Sequence, residues 1–109
     1  MNKNKFINTH NTFELVCVDK ENTGLKCDLY LLSSGKNKKN MSPKLYAYYN
    51  DEFIEFSIDD IDPKPEEPTK LNNDLIDEVK KYIKTNYQLL FEHWNNNITD
   101  KDILNKLSI

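Results

Sequence analysis

Two histidines, two cysteines and a run of carboxylates are the side chains that could do chemistry here, and their spacing decides which. Glu92, His93 and Trp94 stand in a row and invite an acid–base reading. Neighbours on a helix point about 100° apart, so the three do not converge on one site. No Ser, Cys or second His lies at a helical spacing from His93 to complete a relay. His93 therefore reads as a structural or surface histidine, and no catalytic residue is assigned. Cys17 and Cys27 are ten residues apart, with no Cys-x-x-Cys pair and with His10 and His93 distant from each other. No zinc framework follows from that spacing. Two core thiols in a reducing compartment are expected, without a cofactor. Asp59, Asp60, Asp62, Glu66 and Glu67 lack the alternation and central Gly of a calcium loop, and prolines interrupt them. They read as a solvated acidic loop or, alternatively, as a docking patch for a basic partner. No metal site is assigned.

Lys36, Lys38, Lys39 and Lys44 form the opposite patch. Gly35-Lys36 is not a phosphate-binding loop, because the upstream Gly and the following hydroxyl residue are missing. The patch is a solvated loop or a weak contact for an anion or a nucleic acid. Tyr46, Tyr48, Tyr49, Phe53 and Phe56 crowd one stretch. Strand aromatics stack nucleic-acid bases in some proteins and pair across a hairpin in more. A helix must cover one face of their sheet, which leaves Tyr46, Tyr48 and Phe53 free for a partner. The candidate binding set is thus Lys36, Lys38, Lys39, Lys44, Tyr46, Tyr48 and Phe53.

These residues need elements to position them. Ile76, Val79, Ile83, Tyr87, Leu90 and Trp94 recur at spacings of three and four. That spacing predicts one long helix from Asp74 to Asn96 with an apolar stripe, widened by Leu75, Leu89 and Phe91. Asn73 or Asp74 would cap its start. Before it, alternation predicts strands over Phe13–Val18, Leu25–Leu32, Lys44–Tyr49 and Phe53–Ile58. Cys27, Leu29 and Leu31 share one face of the second strand. Leu45, Ala47 and Tyr49 share one face of the third; Ile54, Phe56 and Ile58 share one of the fourth. Asn50-Asp51 suits a two-residue hairpin turn between the last two strands. Asp19–Gly24 and Ser33–Ser42 have turn and loop composition. Pro63, Pro65 and Pro68 make the stretch after Ile58 an extended connector. Thr99 offers a cap for a short terminal helix carrying Ile103, Leu104 and Leu107. The fold class expected is α+β: a small antiparallel sheet of about four strands with the long helix packed on one face.

The chain has 109 residues, enough for one domain and one core, with residues 1–11 as a loose arm. Its net charge of −3 does not announce a nucleic-acid partner, and every cation is Lys. Without Arg, the planar fork used for phosphate clamps and guanine readout is missing. The first residues lack the apolar run of a signal peptide, and no window approaches a membrane span. A cytoplasmic location is expected.

Pro43-Lys44-Leu45-Tyr46-Ala47, with the hairpin after it, and Leu89-Leu90-Phe91-Glu92-His93-Trp94 at the helix end carry a resemblance. Over roughly residues 25–96 the chain resembles the small bacterial family called domain of unknown function 4160. That family has a Pro-His-aliphatic-His strand, a hairpin, a loop and a C-terminal helix ending near Leu-Leu-x-x-Trp. Lys44 and Tyr46 stand where the family has its two histidines, so no metal or acid–base role is carried over to them. The resemblance implies a small intracellular protein encoded near toxin–antitoxin or mobile-element genes. Two functions are expected to compete: a non-enzymatic module that binds another protein, and a nucleic-acid-binding or nuclease effector using the Lys-rich loop and hairpin tyrosines.

Overall fold

In a computed structural model of the chain, residues 15–32, 42–65 and 72–107 are described. The elements in order are β1 (Leu15–Val18), α1 (Lys20–Thr23), β2 (Asp28–Leu32), β3 (Lys44–Tyr49), β4 (Glu52–Ser57), α2 (Asn73–Thr85), α3 (Tyr87–Trp94) and α4 (Asp100–Lys106). The N-terminal arm, Phe13 and Glu14 of the expected first strand, and Ser33–Met41 of the expected loop lie outside the described residues. So do Glu66, Glu67 and Pro68.

The tightest constraint on the sheet is the turn Tyr49-Asn50-Asp51-Glu52. Asn50 and Asp51 have φ of 51° and 62°, the two left-handed residues a type I′ turn requires. The turn twists with the strands and sets their register, from Tyr49 opposite Glu52 to Lys44 opposite Ser57. β2 then pairs antiparallel with β3, and β1 with β2, in the order β1-β2-β3-β4. The stretch expected as a plain turn after β1 holds one helical turn instead. Asp19 caps it by accepting from the Asn22 N–H, and Gly24, at φ 78°, ends it in a conformation that a Cβ would disfavour.

Alternation along these strands sorts side chains to two faces. Val16, Val18, Leu29, Leu31, Leu45, Ala47, Ile54 and Phe56 face the main core, with Leu75, Val79, Ile83, Leu90, Ile103 and Leu107 from the helices. The strand faces expected from the sequence are the ones observed for β2, β3 and β4. The thiols divide: Cys27 is buried, whereas Cys17 is exposed, because Val16 and Val18 take the inward positions of β1. Two core thiols were expected; there is one.

The single long helix is also corrected. It divides at Asn86, whose φ of −108° and ψ of 18° leave the helical region. Thr85 and Asn86 are weak helix formers, and the Asn86 side-chain amide donates to the Tyr82 carbonyl at 3.0 Å. In a straight helix, Ile83 and Trp94 are eleven residues, about three turns, apart and share a face. Across the break they separate: Ile83 joins the main core, and Trp94 packs with Leu32 and Tyr46 in a second cluster. The cap at the start of α2 is Asn72, one residue earlier than expected, accepting from the Leu75 N–H at 2.8 Å. Thr99 caps α4 as anticipated, accepting from the Asp102 N–H.

The proline connector does more than span. Ser57 N–H donates to the Lys64 carbonyl, Lys64 N–H donates to Ser57 Oγ, and Pro65 bridges to Phe56. The chain thus returns along the outer edge of β4, where proline is tolerated because its missing N–H faces away from the ladder.

Candidate interaction surface

The side chains that the core does not use meet on the opposite face of the sheet. Register places Asp28 beside Tyr48, Tyr30 beside Tyr46 and Cys17, Tyr46 beside Glu55, and Tyr48 beside Phe53. The face has two ends of different character.

Towards the β3 start, polar groups satisfy one another. Glu55 Oε1 accepts from Lys44 Nζ at 3.2 Å and from the Tyr46 hydroxyl at 3.1 Å. Tyr46 is only 7% exposed, covered in part by Trp94 and Leu32. Burial first, and then the Glu55 carboxylate, push its phenol well above the usual range. Tyr46 is therefore a structural residue and not the free partner contact the sequence suggested. Lys44 is likewise committed to Glu55. Lys36, Lys38 and Lys39, the rest of the expected basic patch, lie outside the described residues.

Towards the hairpin, three aromatic rings pack together. Tyr48 and Phe53 are 4.6 Å apart between centroids, Tyr30 and Phe53 5.1 Å, and Tyr30 and Tyr48 6.3 Å. Edge-on and tilted arrangements at such distances are the favourable ones for aromatic quadrupoles. All three rings are half-buried. Tyr30 was not in the expected set. Its signal was its place in the alternation, one strand over from Tyr46 on the same face. Its phenol is pushed up to about 12, mostly by burial and then by a hydrogen bond with Cys17. The Tyr48 hydroxyl donates to Asp51 Oδ1 at 3.0 Å; that bond, then its partial burial and the carboxylates of Asp51 and Asp28, raise its phenol. Asp28 also accepts from the Lys20 backbone N–H at 2.8 Å, tying α1 to the start of β2.

The other candidates are used structurally. His93 is 3% exposed, with Nε2 2.7 Å from Asp100 Oδ1, so that nitrogen carries the proton and donates across the α3–α4 junction. Sequence reasoning placed no partner there, because Asp100 is seven residues on and reaches back only through the turn at Asn95-Asn96, where Asn96 has φ 61°. Asp59 Oδ1 accepts from the Ile61 N–H, and Asp62 pairs with Lys80 of α2 at 3.4 Å. Among the described residues, no group of three or more His, Cys, Asp or Glu is arranged to hold a metal ion. No described helix is long and apolar enough to cross a membrane.

No family model, curated protein or solved structure matches the chain.

Proposed function

We propose that this protein is a small, non-enzymatic interaction module of the cytoplasm that binds another protein through the hairpin end of the outer face. The observation that carries this reading is the cluster of Tyr30, Tyr48 and Phe53, half-exposed on a hairpin whose turn and register are rigidly specified. Tyr and Phe present large contact areas at little conformational cost, which suits the anchors of an interface. The resemblance described above supports a bacterial regulator acting in a toxin–antitoxin, phage-defence or mobile-element setting.

A nucleic-acid effector gains less support. The hairpin tyrosine available for stacking, Tyr48, lies between the carboxylates of Asp28 and Asp51, which repel a phosphate backbone. Lys44, the described member of the basic patch, is neutralised by Glu55. The test is a capture experiment from the native host with wild-type protein and with a Tyr48→Ala variant, at a temperature where thermal melts show both fully folded. A partner retained by wild type and released faster by the variant is the expected result. In parallel, RNA and DNA binding is measured across salt; tight binding with a steep salt slope would overturn the protein-partner reading.

A further inference from the structure

Two carboxylates flank Tyr48 at the hairpin end. Asp28 sits directly across from Tyr48, and Asp51 holds the Tyr48 hydroxyl. The described ion pairs are Lys44–Glu55, Lys80–Asp62 and His93–Asp100; among the described residues neither Asp28 nor Asp51 belongs to one. Asp28 receives a backbone N–H and Asp51 a phenol O–H, which are neutral donors that leave each carboxylate's charge uncompensated. An electron-rich ring face beside two such carboxylates attracts a cation twice over, through the ring quadrupole and through the charges. The other end of the same face differs, because there Lys44 already supplies the cation to Glu55. Lys44, Tyr46 and Glu55 form a set that includes its own cation; Asp28, Tyr48 and Asp51 form a similar set with no cation paired to it among the described residues.

We propose that the hairpin end binds a cationic side chain, a guanidinium or an ammonium presented by a basic segment of a protein partner, seated on the Tyr48 ring between Asp28 and Asp51. This rests on the interaction-module reading and specifies the partner's chemistry. The carboxylates steer the basic segment in, and ring contact gives the complex its lifetime.

The test titrates the full chain, followed by backbone amide NMR, with three unstructured peptides: Arg-Gly, Lys-Gly and Gln-Gly repeats of equal length. Shifts are expected at residues 28–30 and 48–53 for the cationic peptides and not for the Gln-Gly control. The Arg and Lys arms show which cation the site prefers. Tyr48→Leu is expected to weaken binding by about three- to fivefold, the size of an exposed cation–π contact. Asp28→Asn with Asp51→Asn keeps both acceptors, and Asn tolerates the left-handed position at 51, so the fold survives while the charge goes. That double variant is expected to lose the salt dependence of binding. If the Gln-Gly peptide moves the same amides with the same midpoint, the cation site is overturned while the interaction surface stands. If the cationic peptides shift other residues, or none, the cation site is overturned. The capture experiment with Tyr48→Ala then judges the interaction module separately.

Discussion

The two faces of this sheet are built by the same strands and come to different ends. On the core face, Leu29, Leu45, Ala47 and Phe56 are completely buried beneath α2, α3 and α4. On the outer face, Tyr30, Tyr48 and Phe53 pack on one another and keep part of their surface in water. Apolar burial is non-directional and scales with area, so the first face supplies most of the stability. The second face mixes aromatic rings with Asp28, Asp51, Glu55 and Lys44, whose contacts are directional; their one described ion pair, the partly buried Lys44–Glu55, contributes less than the core does. One face therefore holds the fold, and the other is at liberty to specialise. Trp94 is the exception that links them. It lies at the end of α3, one turn beyond the core residue Leu90, and closes the polar half of the outer face over Tyr46 and Leu32.

The contrast can be broken most forcefully at Phe56. Phe56→Ala leaves a cavity at the centre of the core face and is expected to cost about 3–5 kcal/mol in denaturant unfolding. An outcome under 1 kcal/mol would mean that this face is not the one carrying the fold. Trp94→Ala is expected to cost about 3 kcal/mol, at the lower end of the range for a buried aromatic, because its cluster is smaller. An unchanged thermal transition in that variant would remove the link between the helix and the outer face.

Asp100→Ala comes next, at about 1–3 kcal/mol, since it strips the acceptor from the buried His93 ring nitrogen. Asp100→Asn, which keeps an acceptor, should recover most of the loss in the same chemical-denaturation assay. The buried thiol gives a smaller, pH-dependent effect. Burial, with Asp28 and Glu78 nearby, raises Cys27 from 9.0 to about 12, so the fold prefers the neutral thiol. Its stabilising contribution is complete below pH 9.0 and is lost as pH rises towards about 12. The unfolding midpoint of wild type should fall across that window, and more shallowly in Cys27→Ala; parallel curves would refute the assignment. The smallest effect on stability is expected at Tyr48→Ala, about 0.5–1 kcal/mol for lost cross-strand ring contact.

Much of this contrast was legible before any coordinates. Period-two alternation separates Leu45, Ala47 and Tyr49 from Lys44, Tyr46 and Tyr48, and two residues that tolerate positive φ mark the hairpin. What escaped has physical causes. The apolar period runs unbroken through Asn86, so periodicity cannot reveal a break made by a side-chain amide bonding to the backbone. Composition marks three prolines as a connector but cannot show that the connector returns along β4. Tyr46 read as free because the helix residue that covers it, Trp94, is distant in sequence, and Asp28 was missed as a neighbour of Tyr48 for the same reason. His93 and Asp100 meet only because the chain turns through Asn96.

The most direct measurement is the dissociation rate of the captured native partner from Tyr48→Ala, beside wild type and beside the conservative Tyr46→Phe, with thermal melts of all three. The account predicts that Tyr48→Ala melts close to wild type and releases the partner several-fold faster. Tyr46→Phe, which removes the hydroxyl that donates to Glu55 and keeps the ring, should release it at the wild-type rate. Equal dissociation from all three proteins would contradict the claim that the hairpin end of the outer face is the binding surface.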